Sequence, residues 1–113
     1  MGLNKRLRVY RYLKGQRFGE HVDGSEKDEE TGAWSEHTLL IYLNGGGGKT
    51  DELRGGETVF YKGSGKKMKE VLSVPPVEGS VLLHGHGSRC LLHAGSEVTR
   101  GVKYLLRSDV MYL

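Results

Sequence analysis

Among its 113 residues the chain has one cysteine, two prolines and one tryptophan. Its longest uncharged apolar run is Leu39-Leu40-Ile41-Tyr42-Leu43. Each scarcity excludes something. The lone Cys90 cannot build an internal disulfide framework and favours a reducing, intracellular setting. A bilayer span takes about 20 apolar residues, so neither a spanning helix nor a membrane partner is expected. No apolar signal segment follows Met1. Gly2 opens like a myristoylation site, but Arg6 stands where a serine or threonine is needed. Collagen is excluded by the two prolines and the missing Gly-X-Y period. A sustained helical apolar period is also lacking, so few or no helices are expected. What the chain has in excess is glycine, 18 residues, about twice ordinary usage.

The length suits one domain, residues 1–113, with one modest core. Seventeen basic and 14 acidic residues give a net charge of only +3. Their distribution is uneven: Lys5, Arg6, Arg8, Arg11, Lys14 and Arg17 make a basic start, and Glu20–Glu36 is acidic. A basic arm can meet nucleic acid, but no aromatic stacking pattern runs through it, so solvated strand faces are the first expectation. Short runs of β-type residues fall near Leu7–Leu13, Phe18–Val22, His37–Leu43, Glu57–Tyr61, Glu70–Val74, Ser80–His84, Arg89–His93 and Val102–Arg107. Glycine and polar clusters separate them, with Asp23–Gly32 and Asn44–Gly56 as loops. The spacing predicts an all-β antiparallel sandwich or barrel rather than βαβ units.

Asn44–Thr50 ends in Gly-Lys-Thr like a phosphate-binding loop. Leu43 stands where that motif needs its first glycine, and only Asp51–Arg54 precede Gly55-Gly56, too few for the helix that must follow. His21-Val22-Asp23 is more promising. Residues i and i+2 of a strand share a face, so His21 and Asp23 can bind one metal, with His93 as a third donor. Two imidazoles and a carboxylate on one face of an octahedral ion suit non-haem iron(II). Two alternatives stay open on spacing alone. Asp23-Gly24 can be a simple turn, and His84, His86 and His93 can form a three-histidine set. His37 reads as a solvent-facing or supporting residue. Lys103 shares a strand face with Leu105 and can point inward, where an ammonium needs an anion; a dicarboxylate cosubstrate would serve. Arg11, Arg89 and Arg107 read first as surface arginines, with substrate or rim contacts as the alternative.

Taken together, these motifs resemble a known family. Tyr12-Leu13-Lys14-Gly15-Gln16-Arg17-Phe18-Gly19-Glu20-His21-Val22-Asp23 is similar to the Y-x-x-G-x-x-[YF]-x-x-H-x-D stretch of prolyl 4-hydroxylase-type, 2-oxoglutarate- and Fe(II)-dependent dioxygenases. Leu40–Asn44 followed by Gly55-Gly56-Glu57-Thr58-Val59-Phe60, then Pro76–Leu83, then His93-Ala94-Gly95 with Lys103, follow that family's order from about Val9 to Met111. The resemblance implies a double-stranded β-helix, a cupin-like jelly roll. It implies iron held by His21, Asp23 and His93. Lys103 would pair with the distal carboxylate of 2-oxoglutarate, aided by Tyr42 or Thr58, with Tyr12 lining the same pocket. It further implies O2-driven hydroxylation with release of succinate and CO2, ascorbate as an auxiliary reductant, and a peptidyl proline or other protein side chain as substrate. The same chemistry on a nucleic acid or small molecule, or a jelly roll that only binds, are the alternatives. Phe18, Phe60-Tyr61 and Leu106–Met111 depart from the collagen-type pattern, and the N-terminal elements that brace the sheet in full-length members have no counterpart.

Overall fold

The computed structural model describes residues 1–46 and 52–113. The phosphate-loop look-alike therefore lies largely outside the described residues. Strands form where apolar and polar residues alternate: β1 (Gly2–Leu3), β2 (Arg8–Tyr12), β3 (Phe18–His21), β4 (Trp34–Tyr42), β5 (Arg54–Gly55), β6 (Thr58–Lys62), β7 (Lys69–Val74), β8 (Val81–Gly85), β9 (Leu92–Gly95), β10 (Val98–Arg100) and β11 (Lys103–Tyr112). Among the described residues the helical pieces are the single 3-10 turns Gly65–Lys67 and Gly87–Arg89. None is long and apolar enough to cross a membrane.

Two antiparallel sheets result. In the first, β1 and β2 lie along one edge of β11, and β4 and then β8 follow on the other side. The second runs β3-β9-β6-β7, and β5 pairs with β10 as a small ribbon. The chain passes back and forth between the sheets, from β2 to β3, β4, β6, β8, β9 and β11. That alternation is the expected jelly roll.

Register decides which side chains meet. Tyr12 opposes Lys103, and Tyr10 and Tyr42 flank Leu105. Leu40 opposes Arg107, while Thr38 opposes Asp109 on one side and His84 on the other. These residues share the inner face of the first sheet, since opposed positions point the same way. On the second sheet His21 opposes His93, which opposes Phe60; Phe18 and Thr58 both oppose Gly95. Leu40, Tyr42 and Leu105 form the buried centre, with Tyr10, Tyr12, Val74 and Leu82 packed on it. Burying each of these large side chains is worth roughly 1.5–3 kcal/mol.

Three details differ from expectation. The strand expected from Arg89 begins at Leu92, because Gly87–Arg89 closes into a 3-10 turn first. The strand expected to end at Arg107 continues to Tyr112, paired with β4 along its length. Finally, β4 starts at Trp34 and carries a bulge. His37 pairs with Val110 and Ser35 with Met111, leaving Glu36 as the extra residue. The bulge breaks the alternation, so that Ser35 and Thr38, an odd number apart, both point inward and are each 1% exposed.

Candidate functional site

His21 is the last residue of β3. The next residue, Val22, turns out to solvent and Asp23 turns back in, where it is buried. Its backbone is held by the turn between β8 and β9: the Asp23 N–H reaches Cys90 Sγ at 3.3 Å, and Gly87 N–H donates to the Asp23 carbonyl at 2.9 Å. His21 Nε2 then lies 3.5 Å from Asp23 Oδ1 and His93 Nε2 lies 3.7 Å from Asp23 Oδ2. Each imidazole is oriented from behind. His21 Nδ1 is 2.8 Å from the Gly19 carbonyl, and His93 Nδ1 is 2.9 Å from that of Leu91. A carbonyl only accepts, so Nδ1 carries a proton in each ring and Nε2 is the nitrogen left facing the carboxylate, free to ligate.

That arrangement fits a metal ion. Two imidazole Nε2 atoms and a carboxylate face one another at distances too long for hydrogen bonds, while the donor atoms of His21, Asp23 and His93 all lie within 4.8 Å of one another. Burial alone would raise the Asp23 carboxyl pKa. The Thr38 hydrogen bond and the Arg107 guanidinium outweigh it and hold the carboxyl below its ordinary value. Burial lowers the pKa of His93, which keeps the ring in its ligating form.

A layer of polar residues sits behind Asp23. Thr38 donates its hydroxyl to Asp23 Oδ2 at 2.8 Å and lies 2.6 Å from His86 Nε2. With the Thr38 proton committed, His86 Nε2–H donates to Thr38, and in the neutral ring Nδ1 accepts from Ser35 at 3.1 Å. Arg107 reaches Asp23 Oδ2 at 3.5 Å and Asp109 Oδ1 at 3.8 Å. Such supports fix a ligating carboxylate's orientation as well as its charge.

Lys103 lies at the other end of the same cavity and is 3% exposed. Its ammonium sits 5.3 Å from the Tyr12 ring centre and 5.9 Å from that of Tyr42. Among the described residues no carboxylate is within ion-pairing distance of it. Burial pushes its pKa down to about 8, against the pull of Glu57. Two glycines give the side chain room. A Cβ on Gly56, whose φ is +75°, would come within 3.0 Å of Lys103 Cδ, and one on Gly95 within 3.9 Å of Nζ. The Tyr42 hydroxyl and Thr58 Oγ1, 2.6 Å apart, bridge the sheets beside it. The space between Lys103 and the Asp23 cluster is walled by Tyr10, Leu40, Ala94 and Leu105.

His21, Asp23, His93, Lys103, Thr58 and Tyr12 thus line one cavity, and Tyr42 stands behind Thr58. The three-histidine alternative is corrected. His86 is 3% exposed and bonds to Ser35 and Thr38 instead of facing His93. The reason is local: β8 ends at Gly85, so the shared face of His84 and His86 ends with it. His84 does enter the cavity, with Nε2 3.6 Å from Asp23 Oδ2. His37 meets the Tyr112 hydroxyl at 3.1 Å, away from the cavity. Arg89 pairs with Glu36 at the surface and Arg11 is exposed. Arg107 departs from the surface reading and follows its alternative, since it lines the cavity. Its signal was the alternation that turns Lys103 inward, extended by four residues. Thr38 was legible in the same way from Tyr42.

Comparison with known proteins agrees with this geometry. The profile of the 2OG-Fe(II) oxygenase superfamily matches residues 7–108. Probable prolyl 4-hydroxylase 11 of Arabidopsis thaliana is 38% identical over 77 residues, covering 68% of this chain and 23% of that protein. The viral collagen prolyl hydroxylase of Paramecium bursaria Chlorella virus-1, in its 2OG complex, matches with a TM-score of 0.62 at 24% identity, covering 95% of this chain and 57% of that one. A 2OG-Fe(II) oxygenase-family oxidoreductase from Burkholderia pseudomallei matches with a TM-score of 0.61 at 19% identity, covering 93% of this chain and 41% of that one. The structural likenesses concern the fold, and the chain spans about a quarter of the plant relative and just over half of the viral one.

Proposed function

The chain belongs to the 2OG-Fe(II) oxygenase superfamily, and on that premise we propose that it is an iron(II)- and 2-oxoglutarate-dependent dioxygenase that hydroxylates a protein side chain, proline first among them. In this reading residues 1–113 form the catalytic core, and His21, Asp23 and His93 hold the iron. Lys103 receives the distal carboxylate of 2-oxoglutarate, with the hydroxyls of Thr58 and Tyr42 and the ring of Tyr12 beside it. The chemistry that iron(II) and 2-oxoglutarate supply when bound is decarboxylation of the 2-oxo acid by O2 to succinate and CO2, coupled to oxygen insertion into a substrate C–H bond.

The rest falls to the chain's own residues. Gly19 and Leu91 carbonyls fix the imidazole tautomers, while Thr38 and Arg107 keep Asp23 ionised and aimed. Leu40, Ala94 and Leu105 keep the cavity wall apolar, which strengthens the pull of Lys103 on an anion. Orientation of the reacting groups is the main gain from such a site. The protein-substrate reading draws support from relatives named as prolyl hydroxylases. Nucleic acid is not favoured, and neither is a jelly roll that only binds, because donor set and Lys103 are both intact.

One observation carries the proposal: a buried ammonium with no carboxylate within ion-pairing distance among the described residues shares a cavity with a two-histidine, one-carboxylate cluster. A structural metal site has no use for that lysine, whereas a dicarboxylate that chelates the metal at one end does. Anaerobic addition of Fe(II) and 2-oxoglutarate tests it. The wild-type protein is expected to develop the weak visible charge-transfer band of the chelate, and His93→Ala to lose it. Absence of the band, together with no succinate formed over any peptide pool, overturns the reading.

A further inference from the structure

A second cavity adjoins the first at Asp23 and Arg107, which line both. The inward residues of β11 run Lys103, Leu105, Arg107 and Asp109, and those of the paired β2 run Tyr12, Tyr10 and Arg8. The second cavity lies at the end of these rows opposite Lys103, where Arg8, Arg107 and Asp109 line it together with Arg6. The segment that carries Arg6 is pinned to β11. Asn4 N–H donates to the Asp109 carbonyl at 2.8 Å, the Ser108 hydroxyl donates to the Asn4 carbonyl at 3.2 Å, and Asn4 Oδ1 accepts from the Arg6 N–H at 2.9 Å. Charge is unbalanced there. Arg8 stands directly opposite Arg107 in the ladder, and like charges so placed repel. Arg107 has Asp23 at 3.5 Å and Asp109 at 3.8 Å as counter-charges. Arg8 has none. It is half-buried, its Nε is enclosed without a partner, and among the described residues no carboxylate comes within ion-pairing distance of it or of Arg6. The remaining acidic residue of the cavity, Glu26, is exposed. A guanidinium does not shed its proton to escape such a position.

Resting on the metal and cosubstrate reading above, we propose that this cavity is an anion subsite for the substrate. The forks of Arg8 and Arg107, with Arg6 beside them, receive the carboxylate or phosphate of an acidic residue of the protein substrate, close to the residue presented to the metal. A planar guanidinium suits that group, because its parallel N–H donors match two oxygens at once. An anion held between Arg8 and Arg107 also relieves their repulsion, which nothing among the described residues does for Arg8. The substrate is then an acidic segment of a protein. Lys103 holds the anion of the cosubstrate at one end of the site and Arg8 holds that of the substrate at the other, with His21, Asp23 and His93 between them.

Binding of blocked peptides to the full chain, followed by backbone amide shifts in NMR, tests the proposal without any turnover. The probes are an Ala-Pro repeat in which Glu, Gln or phosphoserine replaces each alanine in turn. At one or more positions Glu or phosphoserine should bind about tenfold more tightly than Gln, the worth of one hydrogen bond between charged groups. Added salt should shrink the difference. Arg8→Gln should erase the preference, while the Gln peptides bind as before and the Fe(II)–2-oxoglutarate band persists; Arg6→Gln should reduce the preference in part. Removing one of two facing cations leaves no partner stranded, so Arg8→Gln should fold. Equal affinity for charged and Gln peptides at every position, or a preference that survives in Arg8→Gln, overturns the subsite and leaves the metal and cosubstrate reading standing. A single-stranded oligonucleotide that binds through Arg8 more tightly than every acidic peptide overturns the protein substrate. Absence of the band in the wild type, with the acidic preference retained, overturns the dioxygenase reading and leaves the subsite.

Discussion

Lys103→Met should make the protein more stable while removing its capacity to bind 2-oxoglutarate. The magnitude follows from burial. Moving the ammonium pKa from its ordinary 10.5 to about 8 means that the charged form is disfavoured in the folded state by about 3 kcal/mol, at about 1.4 kcal/mol per tenfold change in proton affinity. The sign is that of a cation whose pKa is lowered by folding. Below about pH 8 the lysine is protonated in both states and the full penalty applies. Between about 8 and 10.5 the folded state gives up its proton first, and stability rises with pH. Methionine nearly matches the length of the lysine stem and fills the slot between Tyr12, Tyr42 and Gly56 without a charge. It forfeits the cation–π contacts with the two rings, worth about 0.5–1 kcal/mol each, so a net gain of about 1–2 kcal/mol is expected near neutral pH. Urea unfolding of both proteins from neutral pH to about 10 measures this. Their stability curves should converge as pH rises. Addition of 2-oxoglutarate with the metal should then stabilise the wild type, by about 2.7 kcal/mol at a hundred times its Kd, and leave the variant unmoved. A variant that loses stability at neutral pH, or that still binds 2-oxoglutarate like the wild type, would refute the reasoning.

Thr38→Val removes the hydroxyl between Asp23 and His86. It should weaken Co(II) binding about tenfold, and Thr38→Ser should restore it, as a spectroscopic titration can show. Gly56→Ala places a methyl group 3.0 Å from Lys103 Cδ at a φ of +75°. It should cost about 1–2 kcal/mol in urea unfolding and raise the Kd for 2-oxoglutarate by displacing the lysine. Tyr42→Phe breaks the bond to Thr58, with an expected loss of about 1 kcal/mol by thermal or urea unfolding. Asp23→Asn removes the carboxylate that all three imidazoles and Arg107 face, and should abolish Co(II) absorption at concentrations that saturate the wild type.

How far the sequence could be read depended on whether a feature was local. The long strands announce themselves by alternation, and alternation alone turns Lys103, Leu105 and Arg107 to one side and Thr38, Leu40 and Tyr42 to one side. The short strands β1, β5 and β10 have no such pattern; they are strands because β11, or each other, offers backbone partners. The pairing of His21 with His93 could not be seen in spacing, since it is a register between β3 and β9. Only the combined motif resemblance joined them. The layer behind the metal site was harder still. It needs the β4 bulge at Glu36 to turn Ser35 inward beside Thr38, and the end of β8 at Gly85 to send His86 one way and His84 the other. Neither event has a strong residue signature. That difference has a physical consequence for reading such sites. A histidine placed by a strand's alternation faces what its strand faces, so its role can be inferred from position. One placed just past a strand end is free to be aimed by its partners, and its hydrogen bonds show whether it stands behind the site or enters it. In this chain His86, just past the end of β8, is satisfied on both sides by hydroxyls, whereas His84, still within β8, faces the cavity as its strand does.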